Sequence, residues 1–424
     1  MRILHLAAHL GGGAGKAITG MLQAEDTVIL LENPEKDYYV KIAVQKAAEV
    51  LIDPTRDVIK HKMEEADVVL INWWGHPLMA EFLAKLPQVE CHLAIWNHVN
   101  GCVYPYLKYD FLNKFDQILF TTEFSYDNFL WTNNQRNDIK NKASIVYGMG
   151  EFHPYLVKPK ASYRQNRVFT VGYLGTLNYA KLNPRFVNYC EAVEKKIPDV
   201  HFCLVGDLSD EVLRDIKNSP IKDKFECVSY DQDVEKYYKR FDVLGYLLNG
   251  YNYATTENVL LEAMAYGLPI IVLDNEVEKY IIHNKINGFV VHSVDDYVEC
   301  VSELFYKKEL REEIGIKARE YVCRIYDSNT NLKQFRRSME KCLSDKKKIH
   351  EFQNVLGMTP YEYFNSFLSM KEQSQIEKLL SSNKDEESIQ KNIFKQKSKG
   401  SVEHYLKYFE NDDRLKKLYH KIKK

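Results

Sequence analysis

The sequence has almost no net charge, no long apolar run and no cysteine pair at metal-binding or redox spacing. Each absence removes a class of function. Its 58 basic residues balance 59 acidic ones, so charge gives no support for whole-domain nucleic-acid binding. No stretch approaches the roughly 20 apolar residues of a membrane span. The eight cysteines, at 91, 102, 190, 203, 227, 300, 323 and 342, contain no CxxC pair, and several sit in apolar runs such as His201-Phe202-Cys203-Leu204-Val205. They are read as reduced core residues of a cytosolic protein. The opening Met1–Ala8 is apolar but too short for a signal peptide, and it runs straight into a glycine loop. There is no GxSxG elbow, no nucleophilic Cys/His arrangement and no short-period repeat. The sparse histidines, His5 and His9 among them, lack zinc spacing. Asp231-Gln232-Asp233 matches an Asp-x-Asp metal pattern but opens a helical run, where acids serve as caps. No metal and no cofactor are expected.

What is present points to a folded two-domain chain. At 424 residues, 45% apolar and 12% aromatic, two cores plus an extension are the natural organisation. Short apolar runs alternate with helical patterns, which favours parallel βα units. The first series is Ile3–Ala7, Thr27–Leu31, Val68–Asn72, His92–Trp96, Gln117–Thr121 and Ser144–Tyr147. The second is Val168–Gly172, Phe202–Val205, Phe225–Ser229, Val243–Leu247, Ile270–Leu273 and Phe289–Val291. Polar, proline-punctuated Pro154–Lys160 is the expected interdomain linker. Beyond about 305 the pattern is helical, and the tail carries a Ser/Asn/Lys/Asp/Glu-rich stretch at 381–391.

Several segments can carry chemistry. In the run Thr255 to Val272, Thr255 or Thr256 is placed as helix cap, Gly267 as helix stop, and Pro269 opens a buried strand. The free amides of such a helix start suit a phosphate. Glu262, a turn further in, is positioned to accept hydrogen bonds from a sugar hydroxyl; the plain alternative is a solvated glutamate on an ordinary βαβ helix. His9-Leu10-Gly11-Gly12-Gly13-Ala14-Gly15-Lys16-Ala17 follows the first strand. It is not a P-loop, because Leu10 and Ala17 stand where glycine and Ser/Thr belong, and Lys16 breaks a dinucleotide fingerprint. Asn72-Trp73-Trp74-Gly75-His76-Pro77 offers aromatic faces at a strand end. The C-terminal Arg414–Lys424 has no acid, and Leu415, Leu418, Tyr419 and Ile422 share one helical face. It fits an anionic membrane surface, or a terminal helix packed on its own domain with solvated lysines.

The run Leu260-Leu261-Glu262-Ala263-Met264-Ala265-Tyr266-Gly267-Leu268-Pro269 resembles the donor-site signature of GT-B fold glycosyltransferases, specifically retaining family 4 of the group 1 type. The resemblance covers most of 1–343 and is strongest over 168–292. It implies an α/β fold: two Rossmann-like domains with parallel sheets facing a cleft, plus a helical C-terminal extension. It divides the chain into an acceptor-side domain at 1–158, a donor nucleotide-sugar domain at 165–325, a helix crossing back at 326–345 and the extension at 346–424. The family's second signature glutamate falls on Glu262 and its first on Ala254, a departure for which Glu257 or the Ala254–Glu257 turn is the expected substitute. The family's Arg–Lys pair, which neutralises the leaving diphosphate, falls on Tyr173 and Lys181, so one cation is missing.

The implied catalytic residues are His98, Lys181 and Glu262, with His76 as the next histidine candidate. The implied donor contacts are Gly12, Gly13, Gly15, Lys16, Thr176, Gly206, Tyr230, Thr255, Thr256, Glu257, Asn258, Val259 and Glu262. The implied activity is metal-independent, retaining transfer from a nucleotide-sugar, a UDP-sugar first, to a hydroxyl acceptor in cell-surface glycan, glycolipid or glycoprotein synthesis. The nucleotide-sugar is a substrate, not a cofactor. The expected location is cytoplasmic, with peripheral membrane contact through 411–424. Two alternatives stand beside this reading: a nucleotide-sugar epimerase of the same fold, and a degenerate, non-catalytic binding subunit.

Overall fold

The computed structural model describes residues 1–149, 168–229, 231, 233–251, 253–381 and 400–423. The 154–160 linker, Tyr230 and nearly all of the 381–391 stretch lie outside the described residues. The chain forms two compact units. The first comprises Met1–Gly150, Tyr253–Thr256 and Asn331–Lys424; the second comprises Glu151–Asn252 and Glu257–Thr330.

The first unit is built on a seven-stranded parallel sheet. Its strands are β1 (Ile3–Ala7), β2 (Thr27–Leu30), β3 (Glu49–Ile52), β4 (Val68–Trp73), β5 (Leu93–Asn97), β6 (Gln117–Phe120) and β7 (Ala143–Ile145), in the order β3-β2-β1-β4-β5-β6-β7. Every residue of β1, β4 and β5 is buried, as expected of a parallel sheet covered on both faces. Edge strand β3 was missing from the sequence reading. Its Glu49-Val50-Leu51-Ile52 run is short and only half-buried, so it lacks the fully apolar signal of the central strands.

The second unit holds a six-stranded parallel sheet of β8 (Thr170–Leu174), β9 (His201–Val205), β10 (Phe225–Val228), β11 (Val243–Tyr246), β12 (Ile270–Leu273) and β13 (Phe289–Val291). Its order is β10-β9-β8-β11-β12-β13. Both sheets are therefore doubly wound, each reversing its strand order beside its first strand: at β1/β4 in one and β8/β11 in the other. In such sheets ligands bind outside the carboxyl ends of the strands at that reversal.

The tail is part of the first unit's core. Phe364, Phe367, Tyr405, Leu415, Leu418 and Ile422 join the same buried cluster as β1, β4 and β5. The apolar face of the C-terminal helix Asp413–Lys423 is thus occupied within its own unit and does not form a surface for lipid.

Candidate functional site

In the second unit, the loop after β8, the end of β11 and the helix Asn258–Ala265 deliver the polar groups to the reversal point. The helix begins later than the sequence suggested. Glu257, not Thr255 or Thr256, occupies the N-cap position, and it makes no side-chain capping bond. Gly267, at φ 81, ends the helix as expected. Thr255 and Thr256 lie in the segment that belongs to the first unit. There the Thr256 hydroxyl donates to the Thr121 carbonyl at 2.5 Å and accepts from the Gly148 amide at 3.0 Å. Thr256 is engaged in the fold rather than capping the helix.

Lys181 and Glu257 form the centre of this site. Lys181 Nζ stands 3.3 Å from Glu257 Oε2, and the Tyr246 hydroxyl donates to the same oxygen at 2.6 Å. The lysine also lies over the Tyr246 ring, 5.5 Å from its centroid, a further cation–π stabilisation. Tyr246 stacks on Tyr173 with centroids 5.3 Å apart, and the Tyr173 hydroxyl donates to the Thr176 carbonyl at 3.1 Å. Tyr173, completely buried, therefore supplies a wall behind the Tyr246 ring. Thr176 itself is exposed.

A second acid stands behind the pair. Glu278 is fully buried; Asn275 Nδ2 donates to its Oε1 at 3.3 Å, and its Oε2 has no hydrogen-bond partner among the described residues. Burial, reinforced by the neighbouring Glu257 charge, pushes the Glu278 carboxyl up to about 7. Among the described residues the site thus brings together a cation, a carboxylate paired with it and a second acid raised to about neutrality. Glu262 lies a turn further along the helix, buried, with its Oε2 accepting from the Tyr238 hydroxyl at 2.9 Å. Asn258 and Val259 form the first turn, half-buried. Gly206 has φ 145, and a Cβ there would stand 2.0 Å from the Gly175 carbonyl. Its glycine is required by the contact between two loops.

In the first unit, the strand ends at β1/β4 carry aromatic and imidazole rings. His98 Nε2 meets Asn72 Oδ1 at 3.3 Å, and its ring packs on Trp96 and Trp74 with centroids 4.6 and 6.1 Å away. His76 caps the helix Pro77–Ala84 through Nδ1, which accepts from the Leu78 amide. Beside it Glu32, at the end of β2, receives the Tyr408 hydroxyl at 2.7 Å and lies 3.2 Å from His76 Nε2. Burial opposes the ionisation of Glu32, yet the hydrogen bonds from His76 and Tyr408 hold its carboxyl below the usual range. His404 stacks edge-on against His76; burial, then the neighbouring His76, pulls it down to about 3, leaving it neutral.

His9, Glu32 and His76 place ligand atoms within 4.8 Å of one another. Because His76 Nδ1 accepts a backbone N–H, its Nε2 carries the ring proton and donates to Glu32. A metal-bound imidazole needs the opposite polarity, with the far nitrogen donating. As arranged, the trio is a carboxylate held between imidazoles, with His76 donating to it. The glycine loop borders it: Gly12 has φ 54 and open space around it, whereas a Cβ on Gly15 would press on the Tyr39 ring. Gly13 is exposed and Lys16 half-buried on the same helix.

Sequence reading missed Tyr246, Asn275 and Glu278 in one unit and Glu32, His404 and Tyr408 in the other. Glu32 was detectable as a carboxylate directly following a strand. Tyr408 lies 376 positions from Glu32, and no local signal announces that pairing.

Residues 168–306 match the family model described as "Glycosyl transferases group 1". No curated protein sequence matches the chain. Among solved structures, the chain is similar to Anabaena Alr3699/HepE in complex with UDP-glucose, with TM-score 0.62 and 14% identity over 80% of this chain and 99% of that one. It is likewise similar to a glycosyltransferase from Rickettsia africae, with TM-score 0.63 and 16% identity over 81% and 99% of the two chains. A third similar structure is the lipopolysaccharide outer core galactosyltransferase WaaB, with TM-score 0.58 and 17% identity over 80% and 99%. At these identities the likeness establishes the architecture. The chain has the GT-B fold of two doubly wound parallel sheets, and its second unit carries the match to glycosyl transferases group 1.

Proposed function

We propose that the protein is a glycosyltransferase that takes its sugar from a nucleotide-sugar, a UDP-sugar first among them, and transfers it with retention to a hydroxyl acceptor. The observation that carries this reading is the group 1 match over 168–306, which spans Lys181, Glu257 and Glu262 at the strand reversal of the second sheet. The UDP-glucose complex of a similar fold favours the uridine donor.

In this reading Glu262 accepts hydrogen bonds from the ribose, and Lys181 with the amides opening the helix Asn258–Ala265 meets the diphosphate. The bond between the anomeric carbon and the diphosphate oxygen breaks, and a bond to the acceptor oxygen forms. The acceptor's proton passes to the departing phosphate oxygen, so no metal or protein base is required. His98, half-buried at the end of β5, faces the donor sugar and helps orient it, and the half-buried His9 ring offers a face to sugar C–H surfaces. The product belongs to cell-surface glycan, glycolipid or glycoprotein synthesis, at a cytoplasmic location.

A thermal-shift screen against UDP-, GDP- and ADP-sugars identifies the donor class. Transfer that survives in both Glu262→Ala and Lys181→Ala rejects the assigned site.

A second reading, a non-catalytic sugar-nucleotide-binding subunit, is favoured by a specific observation. Lys181 is already paired with an internal carboxylate, and Tyr173 adds no charge. Donor binding without transfer, across a panel of hydroxyl acceptors, would select it.

A further inference from the structure

The donor-side site contains an anion of its own. Glu257 stands at the N-cap of the helix Asn258–Ala265, at the positive end of the helix dipole, which favours negative charge. Its Oε2 takes both the Lys181 ammonium, at 3.3 Å, and the Tyr246 hydroxyl, at 2.6 Å. The Glu257 side chain is 8% exposed and that of Lys181 is 30% exposed, so the pair is weakly screened and open to solvent from the lysine side. A diphosphate needs the same two partners, the ammonium and the helix start.

We propose that Glu257 is an affinity-determining residue that competes with the donor's diphosphate for Lys181, a role that rests on the nucleotide-sugar reading above. A diphosphate entering the site takes over the ammonium as Glu257 gives it up, and when the nucleoside diphosphate leaves, the carboxylate reclaims it. The exchange swaps one anion for another at a fixed cation, so it weakens the hold on substrate and spent nucleotide alike. It favours release of a product that retains the full diphosphate charge. Tyr246 supports the exchange. Its hydroxyl, buried against Tyr173, holds the carboxylate in place whether or not the lysine is engaged.

The test is calorimetric titration of UDP into the full chain, with and without EDTA. Glu257→Gln keeps an oxygen for Tyr246 and removes the charge; it is expected to bind UDP about tenfold tighter or better. A melting curve confirms that the variant is folded, and Glu257→Asp, which shortens the reach to Lys181, gives an intermediate gain. The decisive comparison is Lys181→Met made in both backgrounds. Competition predicts a small loss of UDP affinity in the wild type and a loss of about tenfold or more in Glu257→Gln, because only there is the ammonium uncommitted.

Equal or weaker UDP binding by folded Glu257→Gln overturns the proposal. UDP binding that EDTA abolishes in the wild type, and that Glu257→Gln lacks, also overturns it, by making Glu257 a bridging metal ligand. Absence of UDP, GDP and ADP binding from wild type and variants alike overturns the nucleotide-sugar reading itself, and this proposal with it.

Discussion

The Tyr238 hydroxyl donates to Oε2 of Glu262 at 2.9 Å in the interior of the second unit. This bond fixes the carboxylate of the residue proposed to meet the donor ribose. Glu262→Ala is expected to weaken UDP binding about tenfold or more, while Tyr238→Phe costs about 1 kcal/mol of the same affinity by freeing the carboxylate's orientation. Calorimetric titration measures both. If melting temperatures fall while UDP affinity stays constant, Glu262 serves the fold alone.

Glu278 gives the second unit a defined pH response. Its carboxyl is raised from 4.5 to about 7 by burial and by the Glu257 charge, so between those two values the folded state binds more proton than the unfolded chain. Stability therefore falls as pH rises through that window and levels off above it. Glu278→Gln mimics the protonated acid and is expected to remove this fall. Its gain over the wild type is absent near pH 4.5 and largest above pH 7, where it reaches a few kcal/mol. Urea denaturation at a series of pH values checks this; parallel curves for the two proteins would show that Glu278 is not the titrating group.

The alternating apolar runs made both sheets legible, because strands such as Leu93–Asn97 are buried on both faces and apolar from Leu93 through Trp96. What the sequence concealed depends on packing. The helix start looked like a Thr255 or Thr256 cap, since those residue types accept amide hydrogens well. Thr256 instead satisfies Thr121 and Gly148, and the helix opens one residue later at Glu257. The Lys181–Glu257 pair spans 76 positions, beyond any local pattern. Gly206 must be glycine because the Gly175 carbonyl approaches it, and a glycine at a strand end has the same sequence signature whether a backbone carbonyl or a phosphate comes close.

The lysine-rich C-terminal helix illustrates the same limit with an opposite outcome. Its amphipathic spacing suits a membrane, but Leu415 and Leu418 are completely buried in the first unit's core. Leu418→Ala is expected to cost about 3 kcal/mol, as a core leucine truncation does. Removing 411–424 should lower the melting temperature of the first unit, and co-sedimentation with anionic vesicles should be no greater for the full chain than its surface lysines explain. Salt-resistant vesicle binding by the intact protein, lost on truncation, would contradict this assignment.

Asp26 and Arg336 tie the helix Ser328–Cys342 to the start of the first unit. Arg336 Nη2 reaches Asp26 Oδ2 at 2.5 Å, and Nη1 donates to the Met1 carbonyl at 3.3 Å. The carboxylate also accepts from the Ile3 and Gln23 amides, and its side chain is completely buried. Burial opposes ionisation of Asp26, but His5 and then Arg336 lower its pKa below the ordinary carboxylate value. Its contribution to stability is therefore present above that ordinary value and is lost as pH falls through the depressed one. Arg336→Met leaves a buried charge short of its cation and is expected to cost about 3 kcal/mol or more at neutral pH. Adding Asp26→Asn to that variant should recover part of the loss, because the stranded charge is then gone. A double-mutant cycle by urea denaturation reads the coupling directly; additive losses would show that the ion pair does not hold this helix to the sheet.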